Sequence, residues 1–287
     1  MDILYVTKKW EKEEALYTKL GEIVYNLIKS NITEYEILPE ISYRIKDLTS
    51  IIKKIKKKQK DKEYSFDDLP DKLGVRIICS FSEDLKKIDD FIRKYFSIKK
   101  AEYKTDNIEF NILDYKSNHY DLTIKAEYCS KYSELHNLVF ELQARTLNQH
   151  AWANIAHYLS YKQETNLSGY YKRRVYRLLS LYEIADDEFS AINNSIIDCP
   201  DNYVYNLIRK LEGKIYKYAK IDFNRELSFN NLTILIAFFS PEEISNIFGN
   251  IDSFIFKNSD KINKIFEENC SRYHEISFLT QPEVFII

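Results

Sequence analysis

Between Glu11 and Lys29 the apolar residues Leu16, Leu20, Ile23, Val24, Leu27 and Ile28 recur at the three- and four-residue spacing of an amphipathic helix. "YEILPEISYRIK" then reads as extended chain interrupted by Pro39, and "DLTSIIKKIKKKQK" as a helix whose first turn can be capped by Asp47 or Thr49. The β-branched "GVRIICSF", residues 74–81, predicts a short buried strand, and Glu83 to Phe96 returns to helical spacing. Two alternating segments follow at 118–128 and 137–145, joined by a polar turn, and predict an antiparallel pair. In the second, Leu138, Phe140, Leu142 and Ala144 point one way and Glu141, Gln143 and Arg145 the other. From Leu147 onward the pattern is helical, with a short extended end at "PEVFII".

This order of elements predicts an α+β fold, a mixed sheet with helices packed on it. Pro200, in "IIDCPDN", breaks the helical pattern and marks the best boundary. The expected organisation is an N-terminal helical segment over 1–39, a sheet domain over 40–195 and a helical C-terminal extension over 196–287. No internal repeat interrupts it.

Composition narrows the partners. Lys plus Arg number 42 against 44 Asp plus Glu, a formal net charge of -2, so any basic surface must be local. The four cysteines form no CxxC pair and point to reduced thiols rather than to zinc or a redox motif. No apolar run reaches the length of a signal peptide or a membrane span. The expectation is a cytoplasmic protein without a membrane partner.

Three constellations carry candidate chemistry. The row Glu141, Gln143, Arg145 is either the wet face of a half-buried strand or a carboxylate held rigidly for a hard cation such as Mg²⁺, with a guanidinium nearby for phosphate. The metal reading needs a second carboxylate. "DDLPDKLGVRII" offers Asp71 just ahead of a strand and Arg76 within it, although an Asp there can equally be a turn former. "KKIKKKQKDK", with seven lysines in ten positions, is a solvated helix face or a phosphate- or RNA-binding surface. His150 and His157 stand seven residues apart on one helix, too far for joint metal ligation. Trp152, Ile155 and Leu159 mark the neighbouring apolar face.

Taken together these segments resemble the RelA/SpoT-type (p)ppGpp synthetase (GTP pyrophosphokinase) domain, with four motifs in family order over residues 40–192. "RIKDLTSIIKK" supplies Arg44, Lys46, Ser50 and Lys54; "DKLGVR" supplies Asp71, Gly74 and Arg76; "DYKSNH" supplies Tyr115, Lys116, Ser117 and His119; "ELQART", followed by "HAWA" and "HYLSYK", supplies Glu141, Gln143, Arg145 and His150. The downstream "RLLSLYEIADDEF" resembles the helical extension of one branch of these proteins.

The resemblance implies a nucleotidyltransferase-like mixed sheet that moves the β,γ-pyrophosphate of ATP to a nucleotide hydroxyl, GDP or GTP in the guanosine branch. It implies that Asp71 and Glu141 hold Mg²⁺. Arg44 and Arg76 would stack on the adenine, and Lys46, Ser50 and Lys54 would meet the ATP phosphates. Tyr115 would stack on the acceptor base, with Lys116, Ser117, His119, Arg145 and His150 lining the acceptor side. No hydrolase His-Asp pair is present, so the implied activity is synthesis alone.

Three departures bear on the acceptor. Asp114 replaces the family glycine, Ala156 precedes His157 where many small synthetases have Glu, and "KTDNIEFNIL" replaces a basic element. They keep open a toxin-like synthetase acting on the 3′ end of tRNA or on adenosine nucleotides. They also keep open a non-enzymatic nucleotide sensor. The C-terminal extension is then a candidate regulatory or antitoxin-like segment, and a homo-oligomer is a further possible partner arrangement.

Overall fold

The computed structural model describes residues 2–61, 63–103, 117–162, 169–198, 203–220, 223–273 and 277–286. They form two compact units: Met1–Lys29 with Pro39–Ala191, and Ser30–Leu38 with Ile192–Ile287.

The first unit is built on a five-stranded mixed sheet in the order β1-β2-β5-β4-β3. Its strands are β1 (Glu40–Ile45), β2 (Leu73–Cys79), β3 (Phe96–Tyr103), β4 (Asn118–Ile124) and β5 (Phe140–Thr146). Only β2 and β5 run parallel; the other neighbours are antiparallel. One sheet face is apolar. Val75, Ile77, Tyr120, Leu122, Phe140, Leu142 and Ala144 are buried there, and helix α3 (Asp84–Tyr95) packs on it through Ile88, Phe91 and Ile92. Phe96 meets Phe140 edge-on at 5.6 Å between ring centroids, the favourable arrangement for two aromatic quadrupoles.

Helix α1 (Ile3–Asn31) buries Trp10, Tyr17, Leu20, Val24 and Ile28, a stripe at helical spacing. Helix α2 (Leu48–Lys58) begins at Asp47, whose carboxylate accepts the Ser50 backbone N–H at 2.9 Å. It buries Ile51 and Ile55 and leaves Lys53, Lys56, Lys57 and Lys58 in solvent.

The chain passes from β5 into α4 (Leu147–Lys162) without a loop because "TLNQ" forms a capping box. The Gln149 side chain accepts the Thr146 N–H, and the Thr146 hydroxyl accepts the Gln149 N–H, each at 3.0 Å. Thr146 also donates to Asp186 at 2.7 Å, and Asn148 does so at 2.9 Å, tying this corner to α5 (Gly169–Asp198).

The second unit is helical. α6 (Tyr203–Ala219), α7 (Arg225–Ile236) and α8 (Pro241–Asn269) enclose Leu207, Leu211, Ile215, Leu232, Ile251 and Phe266. Gly213 lies so close to the Thr33 carbonyl that a Cβ there would collide with its oxygen.

The structure departs from the sequence reading at three places. Strand β3, at the sheet edge, was not expected, and Phe96 begins it rather than ending α3. The "PEVFII" tail is not extended: Pro282–Phe285 forms a 3-10 turn held by the Asn231 amide on Glu283 and by burial of Phe285. Ile155, expected on the apolar face of α4 with Trp152, is exposed, while Trp152 is buried.

Candidate active site

The second face of the sheet is polar, and strand pairing sets its side chains in rows. Arg44, Gly74, Glu141, Asp121 and Lys100 form one row across the five strands; Ser42, Arg76, Gln143, His119 and Glu102 form the next. Residues of one row lie about one strand spacing apart, roughly 4.8 Å.

Asp71 reaches this face from the Pro70–Lys72 turn that leads into β2. Its Oδ2 accepts from Lys46 Nζ at 2.5 Å and from Lys54 Nζ at 2.7 Å. Burial raises its proton affinity, but the two ammonium groups prevail and hold the carboxyl below its ordinary range. The other oxygen, Oδ1, is buried and without a hydrogen-bond partner among the described residues.

Glu141 is half-buried and oriented by a relay. His119 Nδ1 lies 3.0 Å from Glu141 Oε1, and His119 Nε2 lies 2.6 Å from Ser117 Oγ. An ionised carboxylate can only accept, so the imidazole donates from Nδ1 and its Nε2 accepts the serine hydroxyl. Burial, the largest single influence, and Asp71 push Glu141 upward; the hydrogen bond and charge of His119 together with the Gln143 hydrogen bond outweigh them and leave the carboxyl below its usual value.

Cations crowd the same face. Arg145 donates to the Gln143 side chain, yet burial and the Arg76 charge bring its pKa down to about 10. Burial and Arg44 lower Arg76. His150, in the first turn of α4, is lowered by burial, Arg76 and Arg145, and its Nδ1 is buried without a partner. Like charges gathered at Arg76, Arg145 and His150, each lowered by burial and by a neighbouring cation, form a site that an anion completes.

Two cavities open on this face and share Glu141. The narrower, about 80 Å³, is lined by Arg44, Asp71, Gly74, Arg76 and Gln143 with Glu141. The larger, about 310 Å³, is lined by Lys54, Lys58, Tyr64, Lys100, His119 and Asp121 with Glu141.

Of the residues singled out from sequence, the fold therefore brings Arg44, Lys46, Lys54, Asp71, Arg76, Ser117, His119, Glu141, Arg145 and His150 to one side of one sheet. Ser50 lies in the first turn of α2 and lines neither cavity. Tyr115, Lys116 and Asp114 lie outside the described residues, as do the side chains of Ala156 and His157. Asp121 and Lys100 were not anticipated. Asp121 shares the parity of His119 along β4, the signal that could have revealed it.

Two carboxylates beside one cavity, one with a buried oxygen that no protein donor meets, suit a hard divalent cation completed by substrate oxygens. Among the described residues no group of three or more His, Cys, Asp or Glu could enclose a metal by itself.

A mixed sheet bearing paired carboxylates among lysines and arginines has the chemistry to bind a hard cation and phosphate groups. Residues 43–166 match the family described as "Region found in RelA / SpoT proteins". GTP pyrophosphokinase YwaC of Bacillus subtilis (strain 168) is 27% identical over 180 residues, 56% of this chain and 79% of the relative. The crystal structure of small alarmone synthetase 1 from Bacillus subtilis superposes with a TM-score of 0.56 at 25% identity, over 67% of this chain and 99% of that one. The same synthetase bound to its product pppGpp gives 0.53 at 25% identity, over 66% and 98%. Over residues 43–166 this chain thus resembles the RelA/SpoT region, and in sequence and fold it is similar to a GTP pyrophosphokinase and to the small alarmone synthetases. Among the described residues no helix is long and apolar enough to cross a membrane.

Proposed function

We propose that this chain transfers the β,γ-pyrophosphate of ATP to the 3′-hydroxyl of GDP or GTP, making (p)ppGpp with Mg²⁺ as cofactor. The observation that carries the proposal is the meeting of two cavities at Glu141, one walled by Arg44 and Arg76 and the other by lysines. A donor and an acceptor placed in them would meet at one carboxylate. The pppGpp held by the related synthetase supports a guanosine product.

In this reading Arg44 and Arg76 hold the adenine between planar guanidinium faces. Lys46 and Lys54, fixed by Asp71, present their charge to the triphosphate. Mg²⁺ held by Asp71 and Glu141 would neutralise phosphate charge as pyrophosphate leaves the α-phosphate. His119 keeps Glu141 ionised and aimed, and Ser117 fixes the tautomer of His119. Arg145 and His150 meet acceptor phosphate, and the family resemblance assigns Tyr115 and Lys116 to the acceptor. The protein's contribution is positioning and charge stabilisation.

A second reading, transfer to the 3′ end of tRNA, is favoured by the exposed lysines along α2. One assay separates the two. Purified protein with Mg²⁺ and ATP labelled in the γ-phosphate is offered GMP, GDP, GTP, ADP and deacylated tRNA in turn. Label on GDP or GTP is the expected result, and label on tRNA or ADP transfers the proposal to the toxin-like reading. No labelled product, with Asp71→Ala and Glu141→Ala indistinguishable from wild type, refutes both.

A further inference from the structure

Asp121 is a carboxylate for which the resemblance to the synthetase family gives no role. It sits on β4 as the direct cross-strand partner of Glu141 and on the cavity side of the strand. The neighbouring charges on this face are engaged: Asp71 by Lys46 and Lys54, Glu141 by His119, and Lys100 by Glu102 at 2.5 Å. Asp121 has no hydrogen bond or ion pair of its own among the described residues, although Lys54, Lys58 and Lys100 line the same cavity. A half-buried carboxylate in that position is costly unless a donor from outside the protein meets it.

The donor's chemistry follows from its place. Asp121 lies about one strand spacing from Glu141, the carboxylate shared by the two cavities, so it faces the part of an acceptor nearest the transferring phosphate. A base would lie further out, and a phosphate would be repelled. A sugar hydroxyl is neutral, donates a proton and must come to this point to react.

The geometry points to Asp121 as the residue that receives a hydrogen bond from the acceptor's 3′-hydroxyl and holds its oxygen toward the shared carboxylate, in the larger cavity. This deepens the proposed transfer reaction and rests on it. Lys58 and Lys100, which line the same cavity, offset the repulsion between Asp121 and the acceptor's phosphate charge. Asp121 thereby restricts acceptors to those with a free hydroxyl at that place.

The test measures binding by calorimetry, with Mg²⁺ and a non-hydrolysable α,β-methylene analogue of ATP present, for GDP and for 3′-deoxy-GDP. Wild type is expected to prefer GDP. In Asp121→Ala that preference should fall by about tenfold to a hundredfold, the range of one charge-assisted hydrogen bond. The ratio is read rather than either affinity, because a merely structural loss weakens both ligands alike. Asp121→Asn keeps the shape and one acceptor oxygen and should give an intermediate ratio; it decides the matter if the alanine variant does not fold. An unchanged ratio in Asp121→Ala, where wild type transfers label from ATP to GDP, overturns the role of Asp121 alone. A wild type that transfers no label to any acceptor overturns the underlying reaction as well.

Discussion

Asp71→Asn removes one charge and keeps the shape, leaving the Lys46 and Lys54 ammonium groups converging on a neutral amide. The Asp71 side chain is 12% exposed, with Lys46 at 14% and Lys54 at 33%. Breaking a fully buried pair costs about 3–5 kcal/mol and an exposed one about 0–1. With one partner a third exposed, about 2 kcal/mol is the expected loss. For a domain of roughly 150–250 residues each kcal/mol moves Tm by about 2–4 °C, so the variant should melt about 4–8 °C lower. The scan is run in chelator, so that metal loading does not enter.

The pH dependence has a definite sign. Asp71 titrates below its ordinary 3.8 in the folded state, so its contribution is complete above that value and is lost as pH falls through the folded one. The gap between wild type and variant should stay constant from pH 7 toward pH 4 and close below that. Adding Lys54→Met to Asp71→Asn removes one of the stranded charges and should recover about half of the lost Tm. A variant as stable as wild type at pH 7, or a gap that closes well above pH 4, refutes this account.

Two further predictions concern the scaffold. Gly213→Ala drives a methyl into the Thr33 carbonyl, with the carbonyl carbon and Cβ of Thr33 only 3.1 Å away. It should destabilise the second unit by about 1–3 kcal/mol, seen as faster proteolysis after Lys210 or Lys214, and unchanged cleavage would contradict the packing. Asp89→Asn weakens a carboxylate that accepts from Tyr103 at 2.7 Å, Tyr120 at 3.0 Å and Arg93 at 2.6 Å. Burial opposes ionisation there, but these donors hold the carboxyl below its ordinary value. Urea denaturation should show a loss of about 1–2 kcal/mol at neutral pH that vanishes once the pH falls below the folded value; an equal loss at all pH would assign it to packing.

Much of this architecture is written locally, and its omissions have physical causes. The β5 alternation placed Glu141, Gln143 and Arg145 on one face because a half-buried strand must sort its side chains by parity. β3 escaped notice because it is an edge strand carrying Lys99, Lys100 and Glu102, and its register shifts between Ile98 and Lys100, which breaks the two-residue period. The tail misled because "VFII" has strand propensity, but propensity yields to context: Pro282 starts a turn, and buried contacts with α7 replace a partner strand. The capping box at Thr146 and Gln149 was legible as T-x-x-Q and explains why strand meets helix without a glycine. Asp121 was invisible as a site residue because its meaning comes from Glu141, twenty residues away in sequence and adjacent only across the sheet.

The same rows explain why the charged face can be stable before a substrate arrives. Asp71 neutralises two lysines and His119 supports Glu141, so the carboxylates are held ionised by local partners. On the arginine side Glu40 and Glu141 compensate only in part, and the net shifts are downward. Burial is the largest cause at each group; Arg44 then lowers Arg76, Arg76 lowers Arg145, and Arg76 and Arg145 lower His150. An anion entering there removes that mutual repulsion, so part of its binding free energy comes from relief of strain among the cations rather than from new contacts alone. Because Arg44 and Arg76 face one cavity while Lys58 and Lys100 face the other, with Glu141 between them, filling either side changes the field in which the second ligand binds. Under the proposed reaction, the coupling between donor and acceptor would then be electrostatic and pass through one strand.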